Sequence, residues 1–181
     1  MIKRICVYCA SSDNIDDIYV KDAEKLGSLL GKKNMNIING AGIRGLMRAV
    51  SDAVLLSGGT VTGVIPRFMV ENGWCHQNLT EIIRTETMHE RKKTMADMSD
   101  ATIALPGGYG TLEELLEIIT WKQLGLYNNP VIILNTNNYY APLFEMFRRA
   151  TEDNFMRDEE SNFWHVAQTP EDVIALINEG L

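Results

Sequence analysis

Ala101-Thr102-Ile103-Ala104-Leu105, then Pro106-Gly107-Gly108-Tyr109-Gly110, then Thr111-Leu112-Glu113-Glu114-Leu115-Leu116 set an apolar run, a three-glycine loop and an amphipathic segment end to end. The run reads as a strand. Thr111–Leu124 reads as a helix, with Leu112, Leu115, Leu116 and Ile119 on one apolar stripe. A strand delivering its chain through glycines into a helix is the repeating half of a parallel α/β sheet.

The same alternation extends in both directions. Strands are predicted at Ile2–Tyr8, Met35–Asn39, Thr60–Ile65, Leu79–Thr85, Ala101–Leu105, Val131–Leu134 and Trp164–Ala167. Helices are predicted at Asp16–Gly31, Gly45–Ser57, Met88–Ser99, Thr111–Leu124 and Tyr140–Asp153. A last helix opens with Thr169 as N-cap, Pro170 at the first helical position, and Glu171 and Asp172 in the first turn. Right-handed crossovers then imply a doubly wound, Rossmann-like parallel sheet covered on both faces. No linker or repeat interrupts residues 1–181, which read as a single domain. In such sheets ligands bind beyond the carboxyl ends of the strands.

Composition narrows the function. The 181 residues carry 17 basic and 24 acidic side chains, a formal charge of −7. That balance disfavours a nucleic-acid partner, which needs clustered Lys and Arg. No apolar stretch approaches a membrane span, and the first residues read as a strand rather than a leader. Three cysteines suit a reduced, cytoplasmic protein. Cys6-x-x-Cys9 matches a redox motif, but Cys6 lies in a strand, away from a helix N-terminus that would favour a thiolate. His76, His89 and His165 lack metal-ligand spacing, so no metal is expected.

Three loops follow strands. Cys9-Ala10-Ser11-Ser12-Asp13 is small and hydroxyl-rich; Ser11 and Ser12 are either ligand contacts or an ordinary turn. Gly40-Ala41-Gly42-Ile43-Arg44-Gly45 spells G-x-G-x-x-G, and Gly42 is a candidate for close backbone approach to a ligand. The acid expected about 20 residues on is missing, and the loop follows the second strand, which argues against a nicotinamide cofactor. Gly107, Gly108, Tyr109 and Gly110 lead into a helix start, where free N–H groups favour an anion such as phosphate. Thr111-x-x-Glu114 is equally a capping box, so spacing alone leaves Glu114 between capping and catalysis. Glu114, Glu117, Ile118 and Trp121 form a second stripe whose apolar members imply a cover, from this chain or a second subunit. Arg91 shares the side of Met88 and Met95, where it is either held by a fixed partner or part of a surface charge run.

Together, Met88-His89-Glu90-Arg91-Lys92, Ser99-Asp100-Ala101 and Pro106-Gly107-Gly108-Tyr109-Gly110-Thr111-Leu112-Glu113-Glu114 resemble the Lonely Guy (LOG) family of cytokinin riboside 5′-monophosphate phosphoribohydrolases. Val7–Ser12, Gly40–Met47 and Ile118–Gly125 extend the likeness over nearly the whole chain. The resemblance implies that Arg91 and Glu114 are catalytic. It implies that Lys92, Gly107, Gly108, Tyr109, Gly110, Thr111, Leu112, Glu113 and Thr120 bind the nucleotide. It also implies a homodimer with the site near the interface. Ala10, Ala41 and Arg48 stand where glycines are usual, and an acidic position falls near Gly73, with Glu71 the nearest acid. Relatives are often labelled lysine decarboxylases, but nothing here resembles a pyridoxal-phosphate lysine site.

The residue types suit hydrolysis of an N-glycosidic bond. A carboxylate beside C1′ stabilises an oxocarbenium-like ribose or activates water. Phosphate held by the glycine loop supplies binding energy. Water is the second substrate, so no cofactor is expected. The expected substrate is AMP or an N6-substituted adenine nucleotide. The alternative from another class is a module that binds a phosphorylated ligand without hydrolysing it.

Overall fold

A computed structural model describes residues 2–157 and 163–179. Seven strands form one sheet: β1 (Arg4–Tyr8), β2 (Asn36–Asn39), β3 (Thr60–Pro66), β4 (Glu81–Thr85), β5 (Ala101–Ala104), β6 (Val131–Leu134) and β7 (His165–Ala167). Their order is β4-β3-β2-β1-β5-β6-β7, and every pairing is parallel. The order reverses beside β1, which lies between β2 and β5. The helices are α1 (Asp17–Lys32), α2 (Gly45–Leu56), α3 (Arg67–Glu71), α4 (Met88–Asp97), α5 (Tyr109–Gln123), α6 (Ala141–Glu152) and α7 (Pro170–Glu179). The doubly wound α/β fold expected from the alternation is the one observed.

Side chains along each strand alternate between two layers, as a pleat requires. On β1, Ile5 and Val7 join one core with Leu26 and Leu30 of α1, Val50 and Val54 of α2, and Val173 of α7. Cys6 and Tyr8 point the other way, to Met95 of α4 and Leu115 and Ile118 of α5. Ile37 and Ile38, and Ile132 and Ile133, divide the same way. Strands that feed two cores have no polar face, which is why they read as apolar runs.

The start of α7 follows its sequence signal: Asp172 N–H donates to Thr169 Oγ1 at 3.2 Å, and Thr169 N–H donates to Asp172 Oδ2 at 2.9 Å. Two expectations are corrected. Helix α5 begins at Tyr109, two residues before Thr111, with Gly108 as its N-cap. Thr111 therefore lies inside the helix and caps nothing. The box that does cap is one helix earlier: Glu90 N–H donates to Thr87 Oγ1 at 3.0 Å, while Glu86 N–H donates to Glu90 Oε2 at 2.8 Å. The buried face of α5 is also rotated. It carries Thr111, Glu114, Leu115, Ile118 and Ile119, whereas Leu116 is 40% exposed. Helix α3 has no counterpart in the sequence reading.

Candidate active site

A cleft of about 460 Å³ opens at the carboxyl edge of the sheet. Five successive connections build it. Cys9 to Ser12 follow β1, Gly40 and Gly42 follow β2, and Met69 of α3 follows β3. Met88 and Arg91 of α4 follow β4, and Gly108 to Thr111 with Glu113 and Glu114 follow β5. A ligand there spans the point where strand order reverses, as expected for an open α/β sheet.

Arg91 and Glu114 are buried in this cleft, with Nη1 donating to Glu114 Oε1 at 2.8 Å. The Arg91 Nε–H donates to the carbonyl of Val64 on β3 at 3.1 Å. The capped start of α4 sets Arg91 one turn into the helix, on the face it shares with buried Met95. Gly40 completes the seat, because a methyl group on its Cα would overlap Arg91 Nη2. Burial pushes the Glu114 carboxyl above the ordinary carboxylate range, against the pull of Arg91. Arg91 thus has a fixed partner, and Glu114 does not cap the helix.

The glycine loop enters the cleft where α5 begins. Gly107 must be glycine, since a Cβ would strike the Thr111 side chain. Nothing lies near the Cα of Gly108 or Gly110 on the side where a Cβ would stand, which leaves their backbone accessible. The first N–H groups of α5 have no partner within the helix. Helix dipole and donors without an intrahelical partner favour negative charge at this point.

Ser11 and Ser12 are exposed on the cleft wall, and Gly42 lines it with its N–H on Met47 Sδ at 2.9 Å. Lys92 does not line it. That side chain is buried between Glu113 and Glu117, the latter at 3.0 Å. Burial works against its charge, but the two carboxylates hold its ammonium above the ordinary lysine range. Gly107 and Leu112 lie beside the cleft rather than on its wall. Thr120 is exposed further along α5, its hydroxyl donating to Leu116 O at 2.7 Å.

Met47, Met69 and Met88 give the cleft an apolar wall that sequence reasoning missed. They come from three different helices, so no local pattern joins them. Burial pushes the thiols of Cys6 and Cys9 well up, which suits packing and not redox chemistry. Among the described residues no group of three or more His, Cys, Asp or Glu side chains is arranged to hold a metal ion.

The family described as "possible lysine decarboxylase" matches residues 47–177. The chain is 42% identical over 177 residues to the probable cytokinin riboside 5′-monophosphate phosphoribohydrolase LOGL2 of Oryza sativa subsp. japonica, spanning 98% of this chain and 72% of that protein. It is 45% identical over 154 residues to the cytokinin riboside 5′-monophosphate phosphoribohydrolase LOG1 of Arabidopsis thaliana, spanning 85% and 72%. The chain belongs to the LOG family. Among solved structures, the molybdenum cofactor carrier protein of Chlamydomonas reinhardtii shares the LOG chain's fold, with a TM-score of 0.75 at 21% identity over 99% and 98% of the two chains. The molybdenum cofactor binding protein of Rippkaea orientalis gives 0.74 at 22% identity over 99% and 97%. At those identities the likeness is one of fold.

The departures from the LOG pattern now have places. Ala41 adopts φ +59°, a left-handed conformation that glycine takes more readily. Its N–H donates to Asn39 Oδ1 at 2.9 Å and its carbonyl accepts from His76 N–H at 2.8 Å, which fixes it there. Arg48 points outward to Asp52 at 3.2 Å, and Glu71 is exposed at the end of α3, off the cleft wall.

Proposed function

We propose that this protein hydrolyses the N-glycosidic bond of an adenine-type nucleoside 5′-monophosphate, giving the free base and ribose 5-phosphate. The observation that carries the reading is the buried Arg91–Glu114 pair, set in one cleft with the glycine loop and the start of α5. An anion seat places the phosphate, and a carboxylate lies within the same small space for C1′.

The C1′–N9 bond breaks with its electron pair going to the base, and positive charge develops on the ribose. Glu114 as carboxylate stabilises that charge and takes a proton from the attacking water, whose oxygen bonds to C1′. The departing base takes up one proton from solvent, and Glu114 returns the proton it took from water to solvent, which restores the carboxylate. A carboxylate raised by burial is a stronger base than an exposed one. Arg91 pulls Glu114 toward its charged form and aims it, and Met47, Met69 and Met88 offer thioethers to a flat base or an apolar N6 substituent. Lysine decarboxylation would need a lysine able to shed its proton for a Schiff base. Lys92 is held charged and off the cleft wall.

The substrate is AMP or the cytokinin riboside monophosphate named for the relatives. Incubation with a nucleotide panel, followed by chromatography for free base, tests the reading. Release of adenine or N6-prenyladenine supports it. Thermal stabilisation by nucleotide with no base released would instead identify a non-hydrolytic binding module.

We further infer a homodimer formed through α5. Leu116, Leu124 and Leu126 are 40%, 64% and 71% exposed on or just after this helix. Light scattering should return twice the 20.4 kDa chain mass; the monomer mass would contradict it. Three free cysteines suit a reducing cytoplasm.

A further inference from the structure

Tyr139 and Tyr140 follow β6 and take no part in the chemistry above, yet both hydroxyls end on the glycine segment. Tyr139 donates to the Gly107 carbonyl at 2.7 Å, and Tyr140 donates to the Leu105 carbonyl at 2.7 Å. The connection that presents them is held on several sides. Asn135 Oδ1 accepts the Tyr140 N–H at 2.8 Å, and Thr136 Oγ1 donates to Asp22 of α1 at 2.6 Å. Asn137 and Asn138 both take left-handed backbone, φ 52° and 56°, a conformation that asparagine adopts more readily than other residues with a side chain. The Tyr139 ring stands edge-on to Tyr19 at 5.8 Å and to Tyr140 at 5.2 Å.

No described peptide bond is cis, so the carbonyl and N–H of the Gly107–Gly108 unit point in opposite directions. With the carbonyl on Tyr139, the Gly108 N–H faces away from Tyr139, and Gly108 lines the cleft of Arg91 and Glu114. We propose that Tyr139 is a positioning residue for the 5′-phosphate: its hydroxyl fixes the Gly107–Gly108 peptide plane so that the Gly108 N–H joins the donors at the start of α5. A peptide between two glycines turns easily. Released from Tyr139, it presents its carbonyl to the anion in part of the population, which weakens binding. Tyr140 is buried and holds the end of β5, so its hydroxyl serves the fold. The inference rests on the nucleotide reading above.

Tyr139→Phe removes one oxygen and keeps the ring contacts. Calorimetric titration with ribose 5-phosphate and steady-state kinetics on AMP should show the dissociation constant and KM rising about tenfold, as for loss of one charge-assisted donor. kcat should stay within about twofold and the melting temperature near wild type. Tyr140→Phe should lower the melting temperature and move KM by less than about twofold. Wild-type KM and affinity in Tyr139→Phe would overturn the proposal. So would a parallel rise in KM and loss of stability in both variants, which would mean general loosening. A wild-type protein that neither binds ribose 5-phosphate nor releases base would remove the nucleotide reading, and this proposal with it. Normal wild-type binding and turnover with an unaltered Tyr139→Phe would remove this proposal alone.

Discussion

Arg91 Nη1 and Glu114 Oε1 lie 2.8 Å apart with both side chains buried, 23 residues apart in sequence and on neighbouring helices. The contact joins α4 to α5 on the wall of the cleft. Beside it, Lys92 repeats the arrangement with Glu113 and Glu117. Two successive cations on α4 thus meet three carboxylates on α5, but the first pair lines the cleft wall and Lys92 does not.

Arg91→Lys should be a severe change. The guanidinium serves Glu114 and the Val64 carbonyl at once, with its third nitrogen against Gly40. A lysine ammonium is one point charge and cannot span those positions. Base release should fall by at least about tenfold. Arg91→Ala, which strands Glu114, should cost about 3–5 kcal/mol of stability, read from denaturant midpoints. Normal kinetics in Arg91→Lys would show that charge alone suffices.

Lys92→Gln should separate structure from chemistry. The change leaves Glu113 and Glu117 facing each other at helical i, i+4 spacing without their counter-ion. The melting temperature should drop while kcat stays within about threefold. A collapse of kcat with unchanged stability would mean that Lys92 leaves its carboxylates to reach the substrate.

The sheet was legible because the central strands feed two cores and are therefore mostly apolar, without interruption in Val131–Leu134. Helix α3 was not, because five residues after Pro66 make barely one turn and bury no side chain fully. The start of α5 was misplaced by two residues because Thr111-x-x-Glu114 imitates a cap that Thr87 and Glu90 actually form. The apolar stripe of α5 misled for another reason: leucines and isoleucines occupy several of its sides, so periodicity alone could not choose the face that carries Glu114. Candidate residues came from motifs and family likeness. Their pairing came only from tertiary structure, since Gly40 and Arg91 are 51 positions apart.

Gly40→Ala should test that pairing from the far side. Gly40 looks like the first glycine of a dinucleotide loop, but its missing side chain makes room for Arg91. An added methyl displaces the guanidinium tip, a flexible group, rather than backbone. Activity should therefore fall by about tenfold or more with only a modest loss of melting temperature. Full activity would show that Arg91 has another productive position.

The pH dependence of Glu114 decides its role. Burial raises its folded-state pKa above the unfolded carboxylate value of about 4.3. The folded protein therefore holds this proton more tightly than the unfolded chain. The stabilisation this provides is full below about pH 4.3 and is lost as pH rises through the folded-state pKa. Glu114→Gln has no proton to lose, so its melting temperature should gain on wild type over that same interval. Exposed pairs such as Lys25–Glu171 titrate alike in both proteins and cancel in the difference. Glutamine can still accept from Arg91 but cannot hold charge beside C1′ or take a proton from water, so base release should fall by at least about 100-fold. In wild type, kcat/KM should decline on the acid side with a midpoint above 4.3, because the ionised form is the working one. Near-normal turnover in Glu114→Gln, or an acid limb at the ordinary carboxylate value with no relative stability gain, would leave Glu114 a structural partner of Arg91 and place the chemistry elsewhere in the cleft.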